Sequence, residues 1–174
     1  KLRQRPGQAG RDRRLARMNR RDTREKYMSE SRMLRELIPN CAVTTDLIVG
    51  FPTETEEDFL QTLSLVKEAD FSSAFTFVYS PRTGTKAAQM EGRIPEEVSK
   101  ERIMRLVDAV NENTRLKSLE YVGKVTEILC EDYDEKKGLY LGRNESGRMG
   151  YFASDKNVIG EFVDLRVERA NGIS

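Results

Sequence analysis

Apolar positions along the chain change their period, and each change marks an element. From Thr23 to Ile38, Tyr27, Met33, Leu34, Leu37 and Ile38 recur at helical spacing behind Thr23 as N-cap, and Pro39-Asn40 stops the run, predicting a helix with one buried stripe. Ala42 to Val49, AVTTDLIV, is rich in β-branched residues and closes on Gly50, as a mostly buried strand does. Thr55 then suits the cap of a second helix whose first turn, Glu56, Glu57 and Asp58, opposes the positive end of the helix dipole, with Phe59, Leu63 and Val66 facing inward. Ala74 to Tyr79 reads as the next strand, and its alternating Phe75 and Phe77 are expected in the sheet core. Strand, helix and strand in this order imply a right-handed parallel crossover. Pro95 fits the first position of a third helix running to about Leu119, with Ile103, Leu106, Val107 and Val110 on one side.

Beyond Tyr121 the period falls to two. Val163, Leu165 and Val167 alternate with Asp164, Arg166 and Glu168, and the short runs 123–131, 138–143 and 148–153 are divided by Gly and Asn/Ser turns. This pattern predicts a small all-β barrel, so the chain divides into residues 1–120, an α/β unit, and 121–174.

Composition narrows the chemistry. With 37% hydrophobic and 34% charged residues, the chain has too many spaced apolar positions for disorder. No run is long and apolar enough to span a bilayer, and the first thirty residues lack a signal-peptide core, so a cytoplasmic protein without membrane contact is expected. Histidine is absent, which excludes Ser-His-Asp and Cys-His nucleophiles and imidazole ligation. Cys41 and Cys130 are too few and too far apart for a metal site of their own and are read as reduced thiols. The start at Lys1 and the end at Ser174, inside strand-and-turn sequence, read as those of a piece of a longer protein.

Charge is uneven. Residues 1–30 carry 11 Lys/Arg against 4 Asp/Glu, and the remaining 144 carry 19 against 25. The block Arg11, Arg13, Arg14, Arg17, Arg20, Arg21 and Arg24 could track a phosphate backbone, or be a solvated terminus.

Ligands of parallel α/β folds gather at the carboxyl ends of strands. Two loops lie there. In Asp46–Thr55, Gly50 admits close approach to the backbone, and Asp46, polar in an apolar strand, needs a partner or a ligand hydroxyl; the same residues also suit a plain strand-to-helix turn. In Phe75–Thr85, aromatics precede Arg82, which could grip a carboxylate or phosphate. Glu56-Glu57 and Glu96-Glu97 read as dipole partners on solvated helix starts.

Taken in order, TTDLIVGFPTETEEDF, FTFVYSPRTGT and IPEEV resemble the carboxyl-terminal part of the radical SAM methylthiotransferases, especially the MiaB type that modifies tRNA. Pro6, Gln8, Gly10 and Asp12, followed by Leu15, Arg17, Met18, Asn19, Arg20 and Thr23, keep the spacing of a further family stretch, and VGKVTEILCED…IGEFVDLRVERANG is similar to the family's RNA-contacting TRAM barrel of five strands. The resemblance implies an α/β fold: the C-terminal portion of a radical SAM partial (β/α) barrel over 1–120, then a small all-β TRAM barrel over 121–174. It further implies S-adenosylmethionine as cofactor and [4Fe–4S] clusters in the parent protein, with ligands outside this chain, since no Cys-x3-Cys-x2-Cys occurs here. Partners would be tRNA and the missing N-terminal half of the parent.

By the same resemblance, Gln8 and Arg20 line the cofactor side, Ile48, Val49 and Gly50 lie near adenine, and Tyr79 and Ser80 offer backbone contacts; Asp46 is counted with them as a cofactor-binding candidate. RNA would meet a local patch of Arg143, Arg148 and Lys156, because residues 121–174 hold 8 Lys/Arg against 10 Asp/Glu. No residue of this chain is expected to be catalytic or to bind metal, and the chain alone is expected to be inactive. The implied activity is addition of a methylthio group to isopentenyladenosine beside the anticodon. The alternatives are a catalytically silent RNA-binding module and the sister methylthiotransferase acting on a ribosomal protein aspartate.

Overall fold

The computed structural model describes residues 2–4, 23–38 and 41–172. Gln8, Arg20, most of the arginine block and Pro39-Asn40 lie outside them. The chain divides into two compact units, one within residues 3–113 and one built mostly from 114–174, the division falling within a long helix.

In the first unit, β1 (Leu2–Gln4), β2 (Ala42–Val49) and β3 (Ser73–Val78) form a sheet in the order β1-β2-β3. β2 and β3 are parallel, with Thr44 opposite Ser73 and Val49 opposite Val78, and the crossover between them is α2 (Glu56–Glu68). Thr55 and Asp58 cap α2 reciprocally, each side chain accepting the other residue's backbone N–H, which satisfies two otherwise orphaned donors. Thr23 caps α1 (Arg24–Leu37) by accepting the N–H of Lys26. α3 spans Glu96–Leu119, directly after Pro95.

Alternation sorts the strand side chains into two faces. Val43, Thr45, Leu47 and Val49 are buried under the helices. Tyr27, Met28, Val43, Leu65, Ala69 and Phe71 form one core cluster, while Leu47, Val49, Phe59, Val66, Leu106 and Val110 form another. The stripe of α1 is therefore Tyr27, Met28 and Ser31 with Leu34 beside them. Met33 and Leu37, expected on it, are exposed, because the contact is confined to one narrow seam. Arg24 docks α1 on α2 through Glu68 (2.9 Å), the Gln61 carbonyl and Ser64, so this member of the arginine block serves packing.

The second unit contains β4 (Val125–Asp134), β5 (Leu139–Asn144), β6 (Met149–Phe152) and β7 (Phe162–Arg166). They pair antiparallel in the order β6-β5-β4-β7, an open sheet of four strands among the described residues. Glu131 is an extra residue in β4: Cys130 stands opposite Gly142, but Asp132 opposite Leu141. Such a bulge bends and twists the strand. Gly142 is required where β4 comes closest, since a Cβ there would lie 2.1 Å from the Leu129 carbonyl oxygen. Ile128 and Cys130 form the buried centre of this unit. Among the described residues, no helix is long and apolar enough to cross a membrane.

Candidate functional site

The second face of the first unit's sheet carries Thr44, Asp46 and Ile48 from β2, and Ser73, Phe75 and Phe77 from β3, since registered neighbours in parallel strands share a face. Here the expectation of a core position for the two phenylalanines fails: Phe75 is 58% and Phe77 49% exposed. Alternation correctly groups them, but the helices cover the opposite face. The face is open at Phe75 and Phe77 and closed at Thr44, which is buried, and it carries one carboxylate, Asp46. Asp46 and Ile48 are half-buried within it.

The tips of β2 and β3 are adjacent: the Tyr79 N–H donates to the Val49 carbonyl over 2.8 Å. The Val49 side chain is fully buried on the helix side, so only its backbone reaches the rim. Gly50 has φ +74°, and a Cβ there would stand 2.6 Å from Ser99 Oγ, so the group approaching closely is α3. Tyr79 sets its ring edge-on against Phe51 at 5.1 Å, and its hydroxyl is buried with no hydrogen-bond partner among the described residues. Ser80 is exposed at the end of the strand.

The loop after β2 is held by an ion pair that sequence reading misses. Glu54 and Arg102 are both buried; Arg102 Nη1 donates to Glu54 Oε1 (2.9 Å) and to the Glu54 carbonyl (3.2 Å), while Glu54 Oε2 accepts the Gly50 N–H (3.1 Å). Arg102 Nε also donates to Glu56, which bonds Arg105 as well. Glu56, half-exposed in the first turn of α2 as expected of a dipole partner, is thus also a clamp. Both guanidinium groups lie over the Phe59 ring, at 5.6 and 4.8 Å from its centroid. Glu96 remains on the surface, where its hydrogen bond and charge contact with Lys100 lower its pKa.

In the second unit the three expected RNA contacts have different surroundings. Arg148 donates to Ser118 Oγ (2.6 Å) and lies over the Tyr121 ring, while Asn144 Oδ1 accepts the N–H groups of Ser146 and Arg148. Arg143 is exposed on the outer sheet face, 3.6 Å from Glu131. Lys156 is exposed in the turn after β6, where Ser154 ties down its backbone. Cys41 and Cys130 are buried and unpaired, and burial pushes the Cys130 thiol pKa up. Among the described residues, no three His, Cys, Asp or Glu side chains are grouped to hold a metal ion.

Residues 6–66 match the radical SAM superfamily profile and residues 119–173 the TRAM domain profile. The chain therefore joins a radical SAM segment to a TRAM domain, with parallel α/β structure in the first and an antiparallel half-barrel sheet in the second. It is 48% identical over 172 residues, 97% of its length, to the tRNA-2-methylthio-N(6)-dimethylallyladenosine synthase of Clostridium botulinum strain Langeland, and 44% identical over 170 residues to that of Clostridium perfringens strain SM101. Over 97% of its length the chain is thus similar to these synthases, and it covers 38% of their own length.

Proposed function

We propose that residues 1–120 supply the C-terminal part of an S-adenosylmethionine-binding barrel, and residues 121–174 an RNA-contacting domain, of an enzyme that adds a methylthio group to isopentenyladenosine beside the anticodon of tRNA. The observation that carries this reading is the uncovered sheet face at the adjacent tips of β2 and β3, in a chain similar over 97% of its length to synthases of that name.

The residues fit the organic cofactor. Ile48 and Phe77 give an apolar floor suited to a purine, Asp46 an acceptor suited to ribose hydroxyls, and the unpartnered Tyr79 hydroxyl a polar group at the same end of the sheet. When bound, S-adenosylmethionine supplies radical hydrogen abstraction after reductive cleavage and, from a second molecule, the methyl group. The residues do not fit an iron–sulfur cluster. The chain's two cysteines are both buried, and the cluster ligands belong to sequence outside it. The chain by itself is therefore inactive and depends on the remainder of the parent. Arg143 and Lys156 are the outward-facing candidates for RNA, with Arg148 positioning the Asn144–Arg148 turn.

The test is nucleoside mass analysis of tRNA from a strain lacking the gene that encodes this sequence. Isopentenyladenosine without its methylthio group is expected. An intact mark overturns the reading. An intact mark together with a mass loss on a ribosomal protein assigns the sister reaction, and no change in either leaves the silent RNA-binding module.

A further inference from the structure

Some cations described in this protein are answered locally, while Arg32, Lys67, Lys124, Lys136, Lys156 and Arg169 stand exposed with no ion pair among the described residues, spread over different elements. Lys100 meets Glu96, Arg105 meets Glu56 and Glu101, Lys117 meets Glu120, and Lys137 meets Asp134. The segment 79–95, which leaves the tip of β3 and leads into α3, gathers three of this kind. Arg82, Lys86 and Arg93 are all exposed there, and no ion pair or hydrogen bond engages their side chains among the described residues. Glu91 is the segment's one acidic residue.

The backbone that carries them is built rather than loose. Thr85 N–H and Oγ1 both bond the Arg82 carbonyl, Ala88 N–H bonds Thr85, and Met90 N–H closes on Ala87. The Gly92 carbonyl accepts the Thr53 N–H at 2.7 Å, pinning the segment to the loop after β2. Three like charges held in one short segment repel one another, and a polyanion relieves that repulsion while releasing its condensed counterions. A single cofactor carboxylate would occupy one of them. The TRAM segment does not supply such a field, as residues 121–174 hold more acidic than basic side chains.

We infer that the segment 79–95 is a docking surface for the phosphate backbone of RNA at the strand-tip rim, with Arg82, Lys86 and Arg93 as its contacts. The inference rests on the reading of the chain as part of a tRNA-modifying enzyme and names where the radical SAM segment itself would touch that RNA.

The experiment measures binding of the 174-residue chain to an unmodified anticodon stem-loop RNA by fluorescence anisotropy across a salt series. It compares wild type, R82A/K86A/R93A, and the charge-matched control R32A/K67A/K100A, each checked for folding by circular dichroism and urea midpoint. The loop variant is expected to bind at least about tenfold more weakly at low salt, its log–log salt slope shallower by roughly 2 to 3, while the control stays within about twofold of wild type. Equal binding by wild type and loop variant overturns the inference and leaves the proposed function standing. Equal losses in both variants also overturn it, since net charge alone would then explain the binding. Loss of S-adenosylmethionine affinity by calorimetry with RNA binding intact overturns it in favour of a cofactor role. Absence of RNA binding by wild type removes both this inference and the RNA-contacting part of the proposed function.

Discussion

At Gly50 the left-handed backbone and the 2.6 Å approach to Ser99 Oγ leave no room for a side chain. Gly50→Ala is expected to destabilise the protein by about 1–3 kcal/mol in urea unfolding, and by less in a Ser99→Ala background, where the nearest atom is gone. Breaking the buried Glu54–Arg102 pair should cost more. Arg102→Met strands the Glu54 carboxylate in the interior, a loss of about 3–5 kcal/mol, and the Glu54→Gln/Arg102→Met double variant is expected to lose less than the sum of the singles. Cys130 adds a pH dependence. Its folded pKa is raised by burial, so its contribution to stability is complete below the ordinary thiol range and falls as pH climbs above that range through the raised value. A maleimide or disulfide reagent should therefore label Cys130 slowly in the native protein at pH 8 and readily after unfolding, as followed by intact mass.

At the scale of elements, much of the first unit is legible in the sequence because its boundaries depend on local chemistry. Thr23, Thr55 and Pro95 mark helix starts through groups only a few residues away, and the AVTTDLIV run announces its strand by composition. What is not legible depends on distant partners. Alternation places Phe75 and Phe77 on one side of β3 but cannot say which side the helices cover. Glu54 and Arg102 are 48 positions apart in the chain, with no periodicity linking them. The extra residue at Glu131 leaves no mark in the sequence, because pairing resumes on both sides of it. Of the candidate site, strand-tip reasoning singles out Asp46 and Ile48, which the structure sets on one face of β2, whereas the clamp that shapes the loop beside them has no local signal. Since Phe75 and Phe77 stabilise little where they stand, F75T/F77T is expected to shift urea unfolding by no more than about 0.5 kcal/mol. It is also expected to narrow and delay the size-exclusion peak, by removing the exposed apolar side chains through which copies would associate.

For the whole molecule, the two units differ in how they resist change. The first is knit by two apolar clusters and a buried ion pair, and the second by a short central stretch of β4 with close glycine contacts. Truncating Phe59, which both clusters of charge and apolar contacts use, should cost about 3–5 kcal/mol as Phe59→Ala, read by thermal melting of the first unit. The uncovered phenylalanine face has a further consequence inside a living cell. Chaperones and proteases sort proteins by exposed oily surface, so this chain, made by itself, should be cleared quickly, with a steady-state abundance set by that triage more than by its synthesis. In a pulse-chase measurement, F75T/F77T should then outlive the wild-type sequence several-fold, although the two melt alike.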